Sequence, residues 1–277
     1  MGFAGHYIVW DVDPVLVHVG PLVIRYYGLL FVAVFVVGYL FWRWQMLRYG
    51  ADEEAVDKFL LWTVVAVIVG ARLGHCFFYE PGYYLAHPEK IVMIWKGGLS
   101  SHGATIGLVF ALWLFHRVYR YPFVEVIDRF AFSATTGATL VRVGNLLNSE
   151  IVGRTTDVPW AFRFVRYEDH GLYPRHPSQI YEILLGLLVF AVLFIADGML
   201  GEKRPRWLMT GLFFATYFTG RFIVEFWKEY VSIDPSASPL TMGQYLSILP
   251  ALFGYFCLFL AYRNHQRGVA QTKGENP

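Results

Sequence analysis

QIYEILLGLLVFAVLFIADGML, residues 179–200, decides the fold. Between Glu182 near one end and Asp197 near the other, no residue carries a charge. A surface helix of a soluble protein turns a polar face to water every three or four residues, and this stretch has none. A hydrocarbon core of roughly 30 Å takes about 20 helical residues to cross, and the stretch has that length. It reads as a membrane-spanning helix. Working outward, similar runs cover Leu22 to Trp42, Phe59 to Tyr79, Leu99 to Tyr119 and Phe123 to Leu147. Two more cover Leu208 to Trp227 and Met242 to Tyr262. Ile91 to Trp95, cut off by Lys96-Gly97-Gly98, is too short to span and reads as interfacial. The expected fold is all-α: a polytopic membrane protein of about seven transmembrane helices. It forms one domain over residues 1–277, with 266–277 a disordered tail.

Composition agrees. The 277 residues are 56% hydrophobic and only 16% charged, with mean hydropathy +0.43; a soluble domain carries about a quarter charged residues. A net charge of +2 is too small to point to nucleic acid. Cys76 and Cys257 each lie inside an apolar run, which argues against a disulfide framework or a thiolate metal site. Asp11 and Asp13 stand where a cleavable signal peptide has its basic region, so the first apolar run is expected to stay as a membrane helix.

Orientation follows the basic residues of short loops. Arg43, Arg48 and Lys58, then Arg117 and Arg120, then Lys203, Arg204 and Arg206, then Arg263, Arg267 and Lys273 fall on one side of seven spans. That side is the cytoplasm, which places the N-terminus outside and the C-terminus in the cytoplasm. The external loop 148–178 breaks the rule with Arg154, Arg163, Arg166 and Arg175, so those arginines need another task.

Ionisable side chains inside a span cost roughly 2.5–3.5 kcal/mol each at the helix centre. They persist only if they pair, line a wet cavity or do chemistry. Arg221 and Glu225 are four apart and can pair on one helical face. Arg25 can snorkel from the outer end of the first span. Arg72 sits between Gly70 and Gly74, which permit close helix packing. Asp128 and Arg129 mark the inner end of the fourth span. The segment from Arg142 to Arg154 is denser: Arg142, Asn145, Asn148, Glu150, Gly153 and Arg154 fall within thirteen residues. Arg142, Asn145 and Ser149 share one helical stripe. Guanidinium forks match phosphate oxygens, which suits a phospholipid headgroup. His102 stands among Gly97, Gly98 and Gly103; neutral imidazole accepts a proton near pH 7. Arg175-His176-Pro177-Ser178 opens the fifth span, with Pro177 suited to a helix start. No HExxH, GxSxG or Walker A motif and no Cys/His metal spacing is present. A transporter is the competing class, but its inverted repeats and midplane polar groups are not seen in this sequence.

The residues resemble the bacterial prolipoprotein diacylglyceryl transferases. The most specific match is Arg142-x-Gly144-Asn145-x-x-Asn148-x-Glu150-x-x-Gly153-Arg154. Gly97-Gly98-x-x-x-His102-Gly103, Arg175-His176-Pro177-Ser178-Gln179-x-Tyr181-Glu182 and Tyr217-x-x-x-Arg221-x-x-x-Glu225 support it, as does Tyr26-Tyr27-Gly28. The family usually has Gly where this chain has Val141, and often Gly where it has Ser149. The resemblance implies transfer of the sn-1,2-diacylglyceryl group from phosphatidylglycerol to the lipobox cysteine of a preprolipoprotein, with release of glycerol 1-phosphate. It implies no cofactor and no metal, and a bacterial cytoplasmic (inner) membrane location with the active site toward the outer leaflet. It assigns His102, Arg142, Arg221, Glu225 and Tyr26 to catalysis, with Tyr26 preferred to Tyr27 by offset. Substrate binding falls to Arg142, Asn145, Asn148, Glu150, Gly153, Arg154, Gly97, Gly98, Gly103, His176 and Tyr217.

Overall fold

In the computed structural model, which describes residues 7–229 and 238–274, helices dominate. The long ones are α1 (Tyr26–Arg48), α2 (Glu53–Phe78), α4 (Ser101–Tyr119), α5 (Phe123–Leu147), α6 (Ser178–Leu200), α7 (Leu208–Val224) and α8 (Met242–Gly274). The short helix α3 (Pro81–Ala86) follows α2. Four stretches among the described residues are long and apolar enough to cross a membrane: Tyr26–Arg48, Glu53–Phe78, Ser178–Lys203 and Met242–Arg267. The chain is a polytopic membrane protein. Of the remaining long helices, α7 has 17 residues, α4 has 19 and α5 carries four charged groups. These three hold His102, Arg142 and Arg221, the residues that make a span expensive.

The all-α expectation needs correcting in four short strands outside the helices. β2 (Val15–Val19) and β3 (Leu22–Arg25) form an antiparallel hairpin. Gly20 at its tip has φ 59, a conformation glycine takes without a Cβ clash. The hairpin absorbs Leu22–Arg25, so the first span begins at Tyr26 and Arg25 lies in a strand, not in a helix. β1 (Ile8–Trp10) pairs in parallel with β4 (Phe162–Phe164), within the long loop between α5 and α6. The tail reading also changes: α8 is helical through Gly274, past residue 266. Extending an existing helix fixes one residue per new hydrogen bond and needs no fresh nucleus. Residues 275–277 lie outside the described residues.

The chain divides into two compact units. The first comprises residues 1–41 and 130–277. Its apolar core joins Phe132, Leu185, Val189, Leu193, Met209 and Phe213 from α5, α6 and α7. Outside the helices, Val152, Phe162 and Phe164 form a smaller core under the β1–β4 pair.

The second unit is Trp42–Arg129. Trp42, Phe59 and Phe115 meet with ring centroids 4.4–5.2 Å apart. Beyond this aromatic knot α2 and α4 touch backbone to backbone. A Cβ on Gly103 would collide with the Gly70 carbonyl, and one on Gly107 with the Ala66 carbonyl. Lipid tails are as apolar as leucine, so packing of small residues takes the place of the hydrophobic effect here. Cys76 and Cys257 are fully buried, as small hydrophobes are.

Candidate active site

The site is built on the C-terminus of α5. That helix ends at Leu147, and the chain then turns back on itself. The Ser149 N–H donates to the Leu146 carbonyl at 3.1 Å and the Glu150 N–H to the Asn145 carbonyl at 2.8 Å. Ser149 has φ 54. This pair of bonds around a left-handed residue is the Schellman ending, whose turn residue is usually glycine. The family's frequent glycine at this position thus has a conformational reason, and Ser149 occupies it under strain. The turn also takes Ser149 out of the helix, so it does not share the helical stripe of Arg142 and Asn145. It folds Glu150 back over the helix end. Its carboxylate accepts from Asn145 Nδ2 and from Asn148 Nδ2, each at 3.1 Å.

Asn145 passes this order on to Arg142. Its Oδ1 accepts from Arg142 Nη1 at 3.1 Å. Arg142 Nε lies 2.5 Å from Glu182 Oε2 as an ion pair, without hydrogen-bond alignment. The Tyr217 hydroxyl of α7 lies beside the guanidinium. Glu150 therefore steers Arg142 through an amide and does not touch it, and Glu182 holds it directly.

The expected Arg221–Glu225 pair is not formed. α7 ends at Val224, and Glu225–Trp227 form a 3₁₀ turn that brings Lys228 over Glu225. The Glu225 N–H still bonds the Arg221 carbonyl, so it is the carboxylate and not the backbone that turns away. The Glu225 carboxylate instead faces Lys228 Nζ at 2.5 Å and accepts from Thr241 Oγ1 at 3.1 Å. It packs on the backbone of Gly243, where a Cβ would strike it. Lys228 Nζ also reaches Glu182 Oε1 at 3.5 Å. Arg221 Nε is buried with no hydrogen-bond partner among the described residues. Tyr217 and Arg221 are one turn apart on α7, on the same face as the Arg142 contact.

Gly153 has no room for a side chain. A Cβ there would meet His176 and the Trp227 carbonyl, and its N–H donates to the His176 carbonyl at 2.9 Å. The arginines of the loop 148–178 have their task in this region. Arg154 Nε donates to the Lys228 carbonyl at 2.9 Å. Arg175 binds Asp169 at 2.7 Å and Glu229 at 2.8 Å. Arg166 pairs with Asp11 and Asp13, and Arg163 stacks on Tyr7. They tie the loop to the N-terminal segment and to the residues after α7. The Tyr181 hydroxyl accepts from Trp160 Nε1 and bonds His176 Nδ1, both at 2.9 Å. Burial lowers the His176 pKa from its ordinary value. The Tyr167 hydroxyl is pushed up to about 12 by burial and by its hydrogen bond to Glu229.

The tyrosine pair divides. Tyr26 opens α1, and its N–H donates to the Pro14 carbonyl. The Tyr27 ring packs on Gly144, where a Cβ would touch it, and its hydroxyl lies in the field of Glu150 and Arg142. Tyr27 rather than Tyr26 faces the signature helix.

Four of the expected site residues belong to the second unit. His102 is exposed in the first turn of α4, whose N-cap Ser100 accepts from the Gly103 N–H. Gly103 packs against α2, as described above. Gly97 and Gly98 have φ 84 and 75. Their carbonyls accept from Arg72 Nη1 at 2.6 and 3.1 Å, while Arg72 Nε and Nη2 reach the Ile91 and Lys90 carbonyls. Arg72 thus holds a loop, beyond the helix packing expected of it. Arg129 likewise donates to the Gln45 carbonyl and covers the Tyr49 ring.

Sequence reasoning missed Lys228 and Thr241 and gave Glu182 no role. Lys228 follows Glu225 by three residues, a spacing that signals a pair on a helix. Glu182, one turn into an apolar span, was the visible signal for a buried partner to Arg142.

A buried arginine–carboxylate network at the end of an apolar helix marks a functional site in a membrane protein. Residues 14–260 match the family profile described as prolipoprotein diacylglyceryl transferase. The chain is 38% identical over 261 residues to the phosphatidylglycerol–prolipoprotein diacylglyceryl transferase of Chloroherpeton thalassium, covering 94% of this chain and 96% of that one. It is 40% identical over 273 residues to the Porphyromonas gingivalis enzyme of the same name, covering 93% and 96%. The Tolumonas auensis enzyme is 36% identical over 261 residues, 94% of this chain and all of that one. The chain belongs to the prolipoprotein diacylglyceryl transferase family.

Proposed function

We propose that this chain transfers the sn-1,2-diacylglyceryl group of phosphatidylglycerol to the thiol of a lipobox cysteine in a preprolipoprotein. Glycerol 1-phosphate is the other product, and the step opens lipoprotein maturation. The observation that carries the reading is Arg221 Nε, buried without a partner beside a network whose carboxylates are already engaged. A guanidinium donor left over at membrane depth is a place for an anion, and the phosphodiester of phosphatidylglycerol is one.

The chemistry follows from the charges. A sulfur–carbon bond forms at the glyceryl carbon as the carbon–oxygen bond to phosphate breaks. The leaving oxygen takes the electron pair, so negative charge grows on the phosphate. Arg142 and Arg221 stabilise that charge, and donors aimed at developing charge are usually the largest catalytic contribution. Glu182 and the Glu150–Asn145 pair hold the Arg142 fork in place. The thiol, with an ordinary pKa of about 8.5, must lose its proton to attack. We assign that proton to the His102 imidazole on residue chemistry. Tyr27 replaces Tyr26 as the site tyrosine. Asn148, Gly153, Arg154, His176 and Tyr217 shape the site, and Gly97, Gly98 and Gly103 fix the approach to His102. The fold reading completes the proposal: seven spans, the N-terminus outside, the C-terminus in the bacterial cytoplasm, and the chemistry toward the outer leaflet of the inner membrane.

The test is to incubate the purified protein with labelled phosphatidylglycerol and a lipobox peptide, and to analyse the peptide by mass spectrometry. A thioether-linked diacylglyceryl adduct with equimolar glycerol 1-phosphate is expected. An unmodified peptide under conditions where a related enzyme modifies it overturns the proposal.

A further inference from the structure

Lys228 is the one buried lysine among the described residues, and it lies between two carboxylates. Its ammonium is 2.5 Å from Glu225 Oε1 and 3.5 Å from Glu182 Oε1. Each carboxylate has a second oxygen with a different partner: Arg142 for Glu182, Thr241 for Glu225. The backbone fixes the lysine from both sides. Lys228 pairs with Gly153 in an isolated bridge, and its carbonyl accepts from Arg154 Nε. Its place is thus set by the end of the signature segment.

We propose that Lys228 is a positioning residue that keeps Glu225 away from Arg221, and so leaves Arg221 to the substrate phosphate. A glutamate four residues after an arginine is the natural partner for it. With Lys228 and Thr241 holding it on the Gly243 backbone, the carboxylate has its charge and hydrogen bonds satisfied elsewhere. The four groups Arg142, Lys228, Glu182 and Glu225 balance, two cations against two anions. Glu150 is engaged by the amides of Asn145 and Asn148, and Arg221 Nε is left buried without a hydrogen-bond partner among the described residues. Without the ammonium, Glu225 and Glu182 are two buried carboxylates sharing one guanidinium. Leaving a buried charge unpaired is strongly unfavourable, and Glu225 relieves it by turning to Arg221. The site then loses its affinity for an anion. Lys228 acts through Arg221 and touches no reacting atom.

The inference rests on the transferase reading for its substrate, so binding is measured separately from turnover. Wild type, Lys228→Arg, Lys228→Met and the double variant Lys228→Met/Glu225→Gln are purified in detergent. Apparent Kd for phosphatidylglycerol comes from native mass spectrometry, and KM and kcat from the peptide assay. Lys228→Arg keeps the cation and is expected to stay within about threefold of wild type. Lys228→Met should weaken phosphatidylglycerol binding by at least about tenfold, mostly in KM. The double variant should recover binding, because a neutral amide cannot neutralise Arg221. Wild-type binding by Lys228→Met, equal damage in Lys228→Arg and Lys228→Met, or a double variant no better than the single one overturns the proposal. If Lys228→Met does not fold, Lys228→Gln with and without Glu225→Gln takes its place. Absence of thioether product from wild type sinks the transferase reading, and the binding series still judges Lys228.

Discussion

Arg72 and Arg142 are both buried arginines on long helices, yet their surroundings differ in kind. Arg72 gives its donors to four backbone carbonyls of one loop, at Lys90, Ile91, Gly97 and Gly98. Those acceptors are neutral and fixed by the chain, and the guanidinium closes the loop as a plug. Arg142 is held by side chains, a carboxylate and an amide, with the Tyr217 hydroxyl beside it. Each of the first two is itself held, by Lys228 and by Glu150. The difference teaches that a buried arginine is not a functional signal by itself. What its partners are, and whether the surrounding charge closes, separates a structural plug from a binding fork.

The comparison breaks most directly by making the same substitution in both places. Arg142→Lys keeps the charge and loses the fork, and should lower turnover by about 10²-fold or more. Arg72→Lys should lower turnover per folded molecule by less than about tenfold while lowering the melting temperature by several degrees, since lost carbonyl bonds cost about 1–3 kcal/mol each. Thioether product, normalised to the monodisperse fraction on size exclusion, reads both. Equal losses of turnover would erase the distinction. His102→Asn removes the proposed base and should cost about 10²–10⁴-fold with folding unchanged; near-normal activity removes His102 from that role.

Smaller effects sharpen the structural side. Gly103→Val drives a side chain into the Gly70 carbonyl and should destabilise the second unit by about 1–3 kcal/mol, seen as a lower melting temperature in detergent. Ser149→Gly relieves a left-handed residue and removes a buried hydroxyl that has no hydrogen-bond partner. It should stabilise by about 1 kcal/mol, with turnover retained. The smallest effect is on pH. His176 Nδ1 shares a hydrogen bond with the Tyr181 hydroxyl, and burial lowers its pKa. A histidine depressed in the fold contributes stability that is present above its unfolded value of about 6.5 and lost as pH falls through the folded value. His176→Asn should therefore flatten the fall in melting temperature between about pH 7 and 5; an unchanged slope rejects that origin.

Much of the polar chemistry was legible in the sequence because it sits where polar residues are costly. Arg142, Asn145, Glu150 and Arg221 stand out against apolar helices, and their order matches a family pattern. Partnership was less legible. Arg221 and Glu225 have the spacing of a pair, but the 3₁₀ turn at Glu225 hands the carboxylate to Lys228. Ser149 looks helical by spacing, but the Schellman turn removes it. Tyr26 and Tyr27 are adjacent and alike, and only the contact with Gly144 tells them apart. The hairpin at Val15–Arg25 was hidden because its apolar residues continue into the first span without a break.

Hydrophobic run length alone determined that this chain lives in a membrane, since stretches of about 20 apolar residues recur along it and each is long enough to span. Residue order alone determined the family. The tertiary structure decided which carboxylate serves which cation. Glu182, Glu225, Arg142, Lys228 and Arg221 come from three separated segments, and a charge network is settled by distances of 2.5–3.5 Å that no spacing along the chain encodes.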